Sequence, residues 1–181
     1  VKIENFITGL GGKDIRKGYV NLDTVKLKGV DVVQDLEKFP WSLKNNEFDE
    51  VYCDNVLEHL SDIIKPMEEL WRITKNGGKI IVKVPIFPSV WAATDPTHRS
   101  FYSYVTFNYF REGDGLNYYS KARFKILKRK IEFGRYTQLW NTGIMEWLVN
   151  LCEMTKKIYY FYFSFLIPAS SLYVELEPIK K

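Results

Sequence analysis

Two runs of β-branched and aromatic residues stand out along the chain, with a helical pattern between them. The first run spans residues 48–55 and the second spans residues 79–85. Between them, apolar and β-branched residues recur at i, i+3, i+4 and i+7, the spacing of one helix face: Met67, Leu70, Trp71 and Thr74. Because parallel strands need a crossover of this length, the pattern predicts a strand–helix–strand unit in a mostly parallel sheet.

The predicted crossover helix carries its own boundary signals. Pro66 suits the first helical position, where the N–H that proline lacks has no partner. Gly77 or Gly78 is expected to end the helix with a left-handed cap. Ligands of open parallel sheets bind at the carboxyl ends of the strands. Asp54 and Asn55, which end the first run, and Val56, which follows it, are therefore predicted to lie at a binding site.

Shorter runs of strand-forming residues extend the predicted sheet. Three precede the crossover unit, at residues 3–8, 18–23 and 30–33, and two follow it, at residues 123–133 and 172–176. The run at 123–133 alternates apolar with basic residues, which is typical of an edge strand. With 181 residues and 46% apolar content, the chain is expected to form one domain over residues 1–181.

The first two predicted strands end in residues suited to a nucleoside. The glycine run Gly9, Leu10, Gly11 and Gly12 lets a ligand approach the backbone, and Asp23 can accept hydrogen bonds from ribose hydroxyls. Only residues 13–18 separate the two features. That length leaves no room for the helix whose N-terminus binds a pyrophosphate, which argues against NAD or FAD.

Asp35 and Leu36 follow the third predicted strand, and two interpretations of them are open. The acid can accept from the exocyclic amine of an adenine while Leu36 packs on the ring. Alternatively, Asp35 only caps a turn.

Taken together, these segments resemble the small class I S-adenosylmethionine-dependent methyltransferases, of which the type 11 methyltransferase domain is the closest group. The resemblance is carried by Gly-Leu-Gly-Gly, Asn-Leu-Asp23, Gln-Asp35-Leu, Asn-Val-Leu-Glu-His59-Leu and Asn-Gly-Gly. It implies a Rossmann-like, mostly parallel seven-stranded sheet with an antiparallel last strand and, in this chain, a shortened first helix. It also implies that S-adenosylmethionine binds at Gly9–Gly12, Asp23, Asp35, Leu36, Asn55 and Val56. His59 is expected to be structural or to border the cofactor.

Residues 86–119 leave the carboxyl edge of the sheet, where substrates are met. His98 is the predicted general base, with Asp95 orienting its ring and Arg99 holding an anionic part of the acceptor. Trp91 and Tyr102 are predicted substrate contacts. Alternatively, the segment is a proline-containing turn followed by an aromatic helix packed on the core.

An aromatic segment at residues 136–168, with helical spacing, precedes the last strand. A core or dimer-interface role is its plainest interpretation, and a substrate lid or membrane-surface patch comes second.

The remaining composition points to a cytoplasmic protein. Two distant cysteines predict free thiols, and no signal peptide is found. No metal is expected, because the sequence has no two histidines at i, i+4. A net charge of +4, spread along the chain, disfavours nucleic acid as a partner. We therefore expect methyl transfer to a small-molecule, sugar or lipid-linked acceptor. The alternative is a non-catalytic module that binds a nucleoside or a partner protein.

Overall fold

The computed structural model of the protein describes residues 5–9, 15–113, 118–134 and 142–180. In these residues the strands are β1 (Asn5–Gly9), β2 (Tyr19–Asp23), β3 (Val32–Val33), β4 (Phe48–Asp54), β5 (Thr74–Pro85), β6 (Phe124–Glu132) and β7 (Ser171–Pro178). The helices are α1 (Ile64–Ile73), α2 (Val90–Thr94), α3 (Thr142–Val149) and α4 (Glu153–Ile158). Short 3₁₀ turns cover Leu57–His59 and Thr106–Phe110, and a π-helical turn covers Tyr159–Phe163.

The strands pair into one sheet in the order β3-β2-β1-β4-β5-β7-β6. Every pair from β3 to β5 is parallel, whereas β7 is antiparallel to both β5 and β6. This mixed arrangement agrees with the predicted Rossmann-like sheet and its antiparallel last strand. β6 lies at the edge of the sheet, as its alternation of apolar and basic residues predicts. Between β1 and β2, the described residues 15–18 form a turn and contain no helix.

α1 is the predicted crossover between β4 and β5, but both of its ends differ from the prediction. Pro66 is the third residue of the helix rather than the first, although this position still lies in the first turn, where N–H groups lack helical partners. The helix ends at Ile73. Thr74 has extended backbone and already pairs with Phe48 of β4, so pairing with the sheet ends the helix before the glycines are reached.

The two glycines after Thr74 have a different role from the predicted helix cap. Gly77 has a φ of +74° and lies where the register between β4 and β5 shifts. A Cβ on Gly78 would lie 2.9 Å from the carbonyl oxygen of Asp49. Glycine is therefore required there by the close approach of two strands.

The core lies on both faces of the central strands. Val51, Ile80, Val82 and Val174 are fully buried, and α1 contributes Met67, Leu70 and Ile73 to it. The segment between β3 and β4 is tied to α1 by Glu69, whose carboxylate accepts from the Trp41 backbone N–H (2.8 Å) and from Arg72 (2.6 Å). These contacts hold the segment between β3 and β4 against α1.

The described part of the predicted aromatic insertion is helical, but most of its large apolar side chains are exposed. Val149 and Tyr159 are buried. The exposed ones are Ile144, Trp147, Leu148, Leu151, Met154, Ile158, Phe161, Tyr162, Phe163, Phe165 and Leu166. A core role is therefore wrong for most of the segment. No helix among the described residues combines the length and apolarity needed to cross a membrane.

Candidate functional site

The carboxyl ends of the parallel strands form one edge of the sheet. Gly9, the last residue of β1, pairs with Asp54, the last residue of β4, and Asp23 of β2 pairs with Val33 of β3. The predicted cofactor residues that follow these strands therefore share this edge. Leu10, Gly11 and Gly12 lie outside the described residues.

Asp23 ends β2 and is only 3% exposed. Its Oδ1 accepts from the backbone N–H of Val25 at 3.0 Å and from the hydroxyl of Thr24 at 3.3 Å. Its backbone carbonyl accepts from Gln34 N–H. These contacts fix the position of the carboxylate at the strand end.

Asp35 and Leu36 lie in the turn after β3. Asp35 is exposed, accepts from Glu37 N–H at 3.0 Å and pairs with Lys38 at 3.5 Å. Leu36 is buried, and its carbonyl accepts from the Trp41 indole. The contacts are those of the turn-cap alternative, and an adenine contact stays a prediction for both residues.

The chain turns sharply where it leaves β4. Asn55 has a φ of +50°, donates its backbone N–H to the carbonyl of Lys83 at 2.9 Å and exposes its amide side chain. Val56 is buried beneath this turn. The following 3₁₀ turn carries Glu58 and His59, so both side chains are placed directly beyond the strand end.

Glu58 is a carboxyl group buried at the centre of the site. The residue is 1% exposed, and no described residue hydrogen-bonds to either carboxylate oxygen. Because burial disfavours the charged form, its pKa rises to about 8. Its backbone carbonyl accepts from the N–H groups of Arg99 (2.7 Å) and Ser100 (3.2 Å), which ties the loop after β5 to the turn after β4.

His59 and His98 lie edge to face, with ring centroids 4.7 Å apart. Nδ1 of His59 is 2.8 Å from Thr97 Oγ1, and that hydroxyl donates to Asp95 Oδ1 at 2.6 Å. Since the single Thr97 proton is used on Asp95, we assign the proton between His59 and Thr97 to His59 Nδ1. The pKa of His59 is lowered by burial and by the nearby His98 ring.

His98 is fixed by a different contact from the predicted one. Its Nδ1 lies 3.1 Å from the carbonyl oxygen of Ala92, which can only accept, so Nδ1 carries the proton. The prediction that Asp95 orients the His98 ring is therefore wrong, because the Asp95 carboxylate reaches His59 through Thr97. The hydroxyl and backbone N–H of Thr97 lower the pKa of Asp95. In the neutral form of each ring, Nε2 is the nitrogen with a lone pair.

A cavity of about 820 Å³ opens over this cluster. It is lined by residues of the β4 and β5 ends, of the loop after β5 and of the β7 start, including Asn55, Glu58, Lys83, Asp95, His98 and Ser171. The predicted substrate contact Trp91 lines it and is 43% exposed. Arg99 pairs with Glu37 at 3.2 Å, and Tyr102 is 1% exposed, with its ring stacked on Phe107. Substrate contacts by Arg99 and Tyr102 stay predictions.

Glu58 was not predicted as a site residue, and no metal ligands were expected. In the structure, one ligand atom each of Glu58, His59 and His98 lies within 4.8 Å of the other two. An adjacent Glu-His pair just beyond a strand end was the signal available in the sequence. Its partner, His98, lies 39 positions away, and no local spacing predicts that contact.

The chain is similar to methyltransferases in sequence. A family model described as a methyltransferase domain, type 11, matches residues 10–82. An uncharacterized protein of Methanocaldococcus jannaschii is 43% identical over 63 residues, which cover 35% of this chain and 27% of that relative. The chain thus matches well under a third of the length of this relative.

Solved structures with a similar fold include methyltransferases. An S-adenosylmethionine-dependent methyltransferase from Archaeoglobus fulgidus has a TM-score of 0.58 at 17% identity, with 97% of this chain and 86% of that chain covered. The geranyl diphosphate C-methyltransferase of Streptomyces coelicolor A3(2), in complex with Mg²⁺, geranyl diphosphate and S-adenosyl-L-homocysteine, has a TM-score of 0.55 at 12% identity, with 98% and 74% covered. The resemblance to class I S-adenosylmethionine-dependent methyltransferases is confirmed.

Proposed function

We propose that this chain, which carries a methyltransferase domain over residues 10–82, transfers a methyl group from S-adenosylmethionine to a small-molecule, sugar or lipid-linked acceptor. One observation carries the proposal: a cavity with two oriented histidines opens at the sheet edge where Asp23 ends β2 and Asn55 follows β4. Donor-binding and proton-accepting groups would then meet at one edge, as methyl transfer requires.

The donor side of this edge fits a nucleoside without phosphates. Asp23 is a carboxylate held in place at the end of β2, suited to accept from two ribose hydroxyls. The described residues between β1 and β2 form a turn, which supports a ligand that needs no pyrophosphate-binding helix. Asn55 and Val56 would border the methionine part. S-adenosylmethionine supplies a methyl group on a positively charged sulfur, so the protein's main task is to align the acceptor with it.

Proton removal from the acceptor is the second task. As the acceptor atom bonds to the methyl carbon, the C–S bond breaks and its electron pair stays on sulfur. The acceptor's proton then passes to Nε2 of His98, the ring nitrogen left unprotonated by the bond from Nδ1 to Ala92. The Asp95–Thr97 pair holds His59 beside it.

The mouth of the cavity supports an acceptor with an apolar part. Phe87 lies two positions after Pro85, which lines the cavity, and its ring centroid is 6.1 Å from that of Phe101 and 5.8 Å from that of Phe165. All three rings are more than 40% exposed. The exposed aromatic surface of the insertion thus continues to the cavity, which suits a lipid-linked acceptor.

Both cysteines are free, which supports a cytoplasmic location.

The proposal is tested by incubating the full chain with labelled S-adenosylmethionine and separate small-molecule, sugar and lipid-linked acceptor pools. We expect acceptor-dependent formation of S-adenosylhomocysteine with one pool, and its loss in His98→Ala. Donor binding without turnover in any pool would overturn the enzyme assignment in favour of a binding module.

A further inference from the structure

We propose that Glu58, His59 and His98 form a binding site for a divalent transition-metal ion. One carboxylate oxygen and two imidazole nitrogens converge here, with the ligand atoms all within 4.8 Å of one another. The three residues come from the 3₁₀ turn after β4 and from the loop after β5, and all three line the same cavity. The site does not depend on the methyl donor.

Glu58 is the first independent observation that points to a ligand. A buried carboxylate without hydrogen-bond partners is costly, and proteins normally pair such groups or use them to bind cations. Glu58 is 1% exposed, and among the described residues neither of its oxygens has a hydrogen-bond partner. A cation coordinated by this carboxylate would satisfy it.

The two histidines provide the second observation. A metal-binding histidine usually donates its other ring N–H to a carboxylate, a backbone carbonyl or water, which fixes its tautomer. His98 donates Nδ1–H to the Ala92 carbonyl, and His59 donates Nδ1–H to Thr97, which in turn donates to Asp95. Both Nε2 lone pairs are therefore left for coordination.

The donor set selects the class of ion. Two imidazoles and one carboxylate suit zinc, cobalt, iron or nickel, whereas magnesium and calcium prefer oxygen ligands throughout. Three protein ligands leave coordination positions open toward the cavity, as catalytic metal sites do.

Metal binding and proton acceptance use the same nitrogen of His98, so they are alternative states of the site. With an ion bound, the ion in place of His98 would promote loss of the acceptor's proton, because a metal ion lowers the pKa of a coordinated hydroxyl or water. This consequence, unlike the metal site itself, rests on the proposed function. It predicts that a chelator reduces turnover in wild type but not further in His98→Gln.

Calorimetric titration of the chelator-stripped full chain with Zn²⁺, and separately with Co²⁺, tests the site without any methyl donor. We expect one ion per chain and a Co²⁺ absorption spectrum that differs from that of the aqueous ion. Glu58→Gln and His98→Gln should each weaken binding at least about 100-fold. Thr97→Val, which removes the hydroxyl that links His59 to Asp95, should weaken it about 10–100-fold.

Asp62→Asn is the matched control, because Asp62 is an exposed carboxylate three positions from His59. Its affinity should equal that of wild type. No binding by wild type, or equal binding by wild type, Glu58→Gln and His98→Gln, would overturn the site. If Glu58→Gln fails to fold, as judged by circular dichroism, His98→Gln and Thr97→Val at the partly exposed positions decide the question. Methyl transfer by a wild-type chain that binds neither Zn²⁺ nor Co²⁺ in the titration would refute the metal site and leave the proposed function standing.

Discussion

The proposed donor half of the sheet edge, at the ends of β1, β2 and β3, and the proposed acceptor half, at the turn after β4 and the loop after β5, are built in different ways. In the donor half, at the ends of β1, β2 and β3, described polar side chains such as Asp23 and Asp35 bond within their own turns. In the acceptor half, contacts join segments about 40 positions apart, and the Glu58 carboxylate is buried without a described partner. The donor half thus follows from strand order, whereas the acceptor half depends on how one loop folds back over the sheet.

The largest effect is expected in the acceptor half, from His98→Ala. A group that takes the acceptor's proton contributes about 10²–10⁴-fold to turnover, and an ion held by the same ring would have a comparable role. Affinity for S-adenosylhomocysteine should stay within about threefold, because His98 lies outside the donor half. Steady-state kinetics and calorimetry measure the two quantities. A loss of turnover below about threefold, with the fold intact, would show that His98 has a structural role and does not accept the acceptor's proton.

Asp23→Ala should affect the donor half alone. Two hydrogen bonds to a charged acceptor, each worth about 1.5–3 kcal/mol, predict at least about a tenfold loss of S-adenosylhomocysteine affinity. Asp49→Ala is the control, since Asp49 lies near the opposite end of β4 and pairs with Lys75 at 2.8 Å. Unchanged donor affinity in Asp23→Ala would remove the ribose assignment and, with it, the functional division of the edge.

The smallest effect is expected from Arg99→Ala, at the rim of the acceptor half. Its exposed ion pair with Glu37 contributes about 0–1 kcal/mol, so urea unfolding should change little. If Arg99 holds an anionic part of the acceptor, the KM for anionic acceptors rises about 2–10-fold. A tenfold rise corresponds to a loss of about 1.4 kcal/mol of binding free energy. Neutral acceptors serve as the control, and an equal rise in their KM would contradict the charge contact.

The sequence predicts the donor half and the sheet because each depends on local patterns. Runs of β-branched residues identify the strands, and an acid at a strand end identifies Asp23. The end of α1 was predicted wrongly because Thr74 pairs with Phe48 across the sheet. This non-local contact ends the helix before the glycine signal at Gly77 is reached.

The acceptor half was predicted by residue type but not by contact. His98 and Asp95 were recognised as polar residues in an aromatic loop. Their partners, Ala92 and Thr97, depend on the backbone path of that loop, and Glu58 becomes exceptional only once it is buried. Burial of a charged side chain is a property of the folded molecule, which no local spacing encodes.

The most direct measurement of the central claim is calorimetric titration of the full chain with S-adenosylmethionine, S-adenosylhomocysteine and NAD. Methyl transfer predicts that both adenosyl ligands bind in a 1:1 ratio, that Asp23→Ala weakens both, and that NAD does not bind measurably. Absence of binding by both adenosyl ligands, or tighter binding of NAD than of either, would contradict the account.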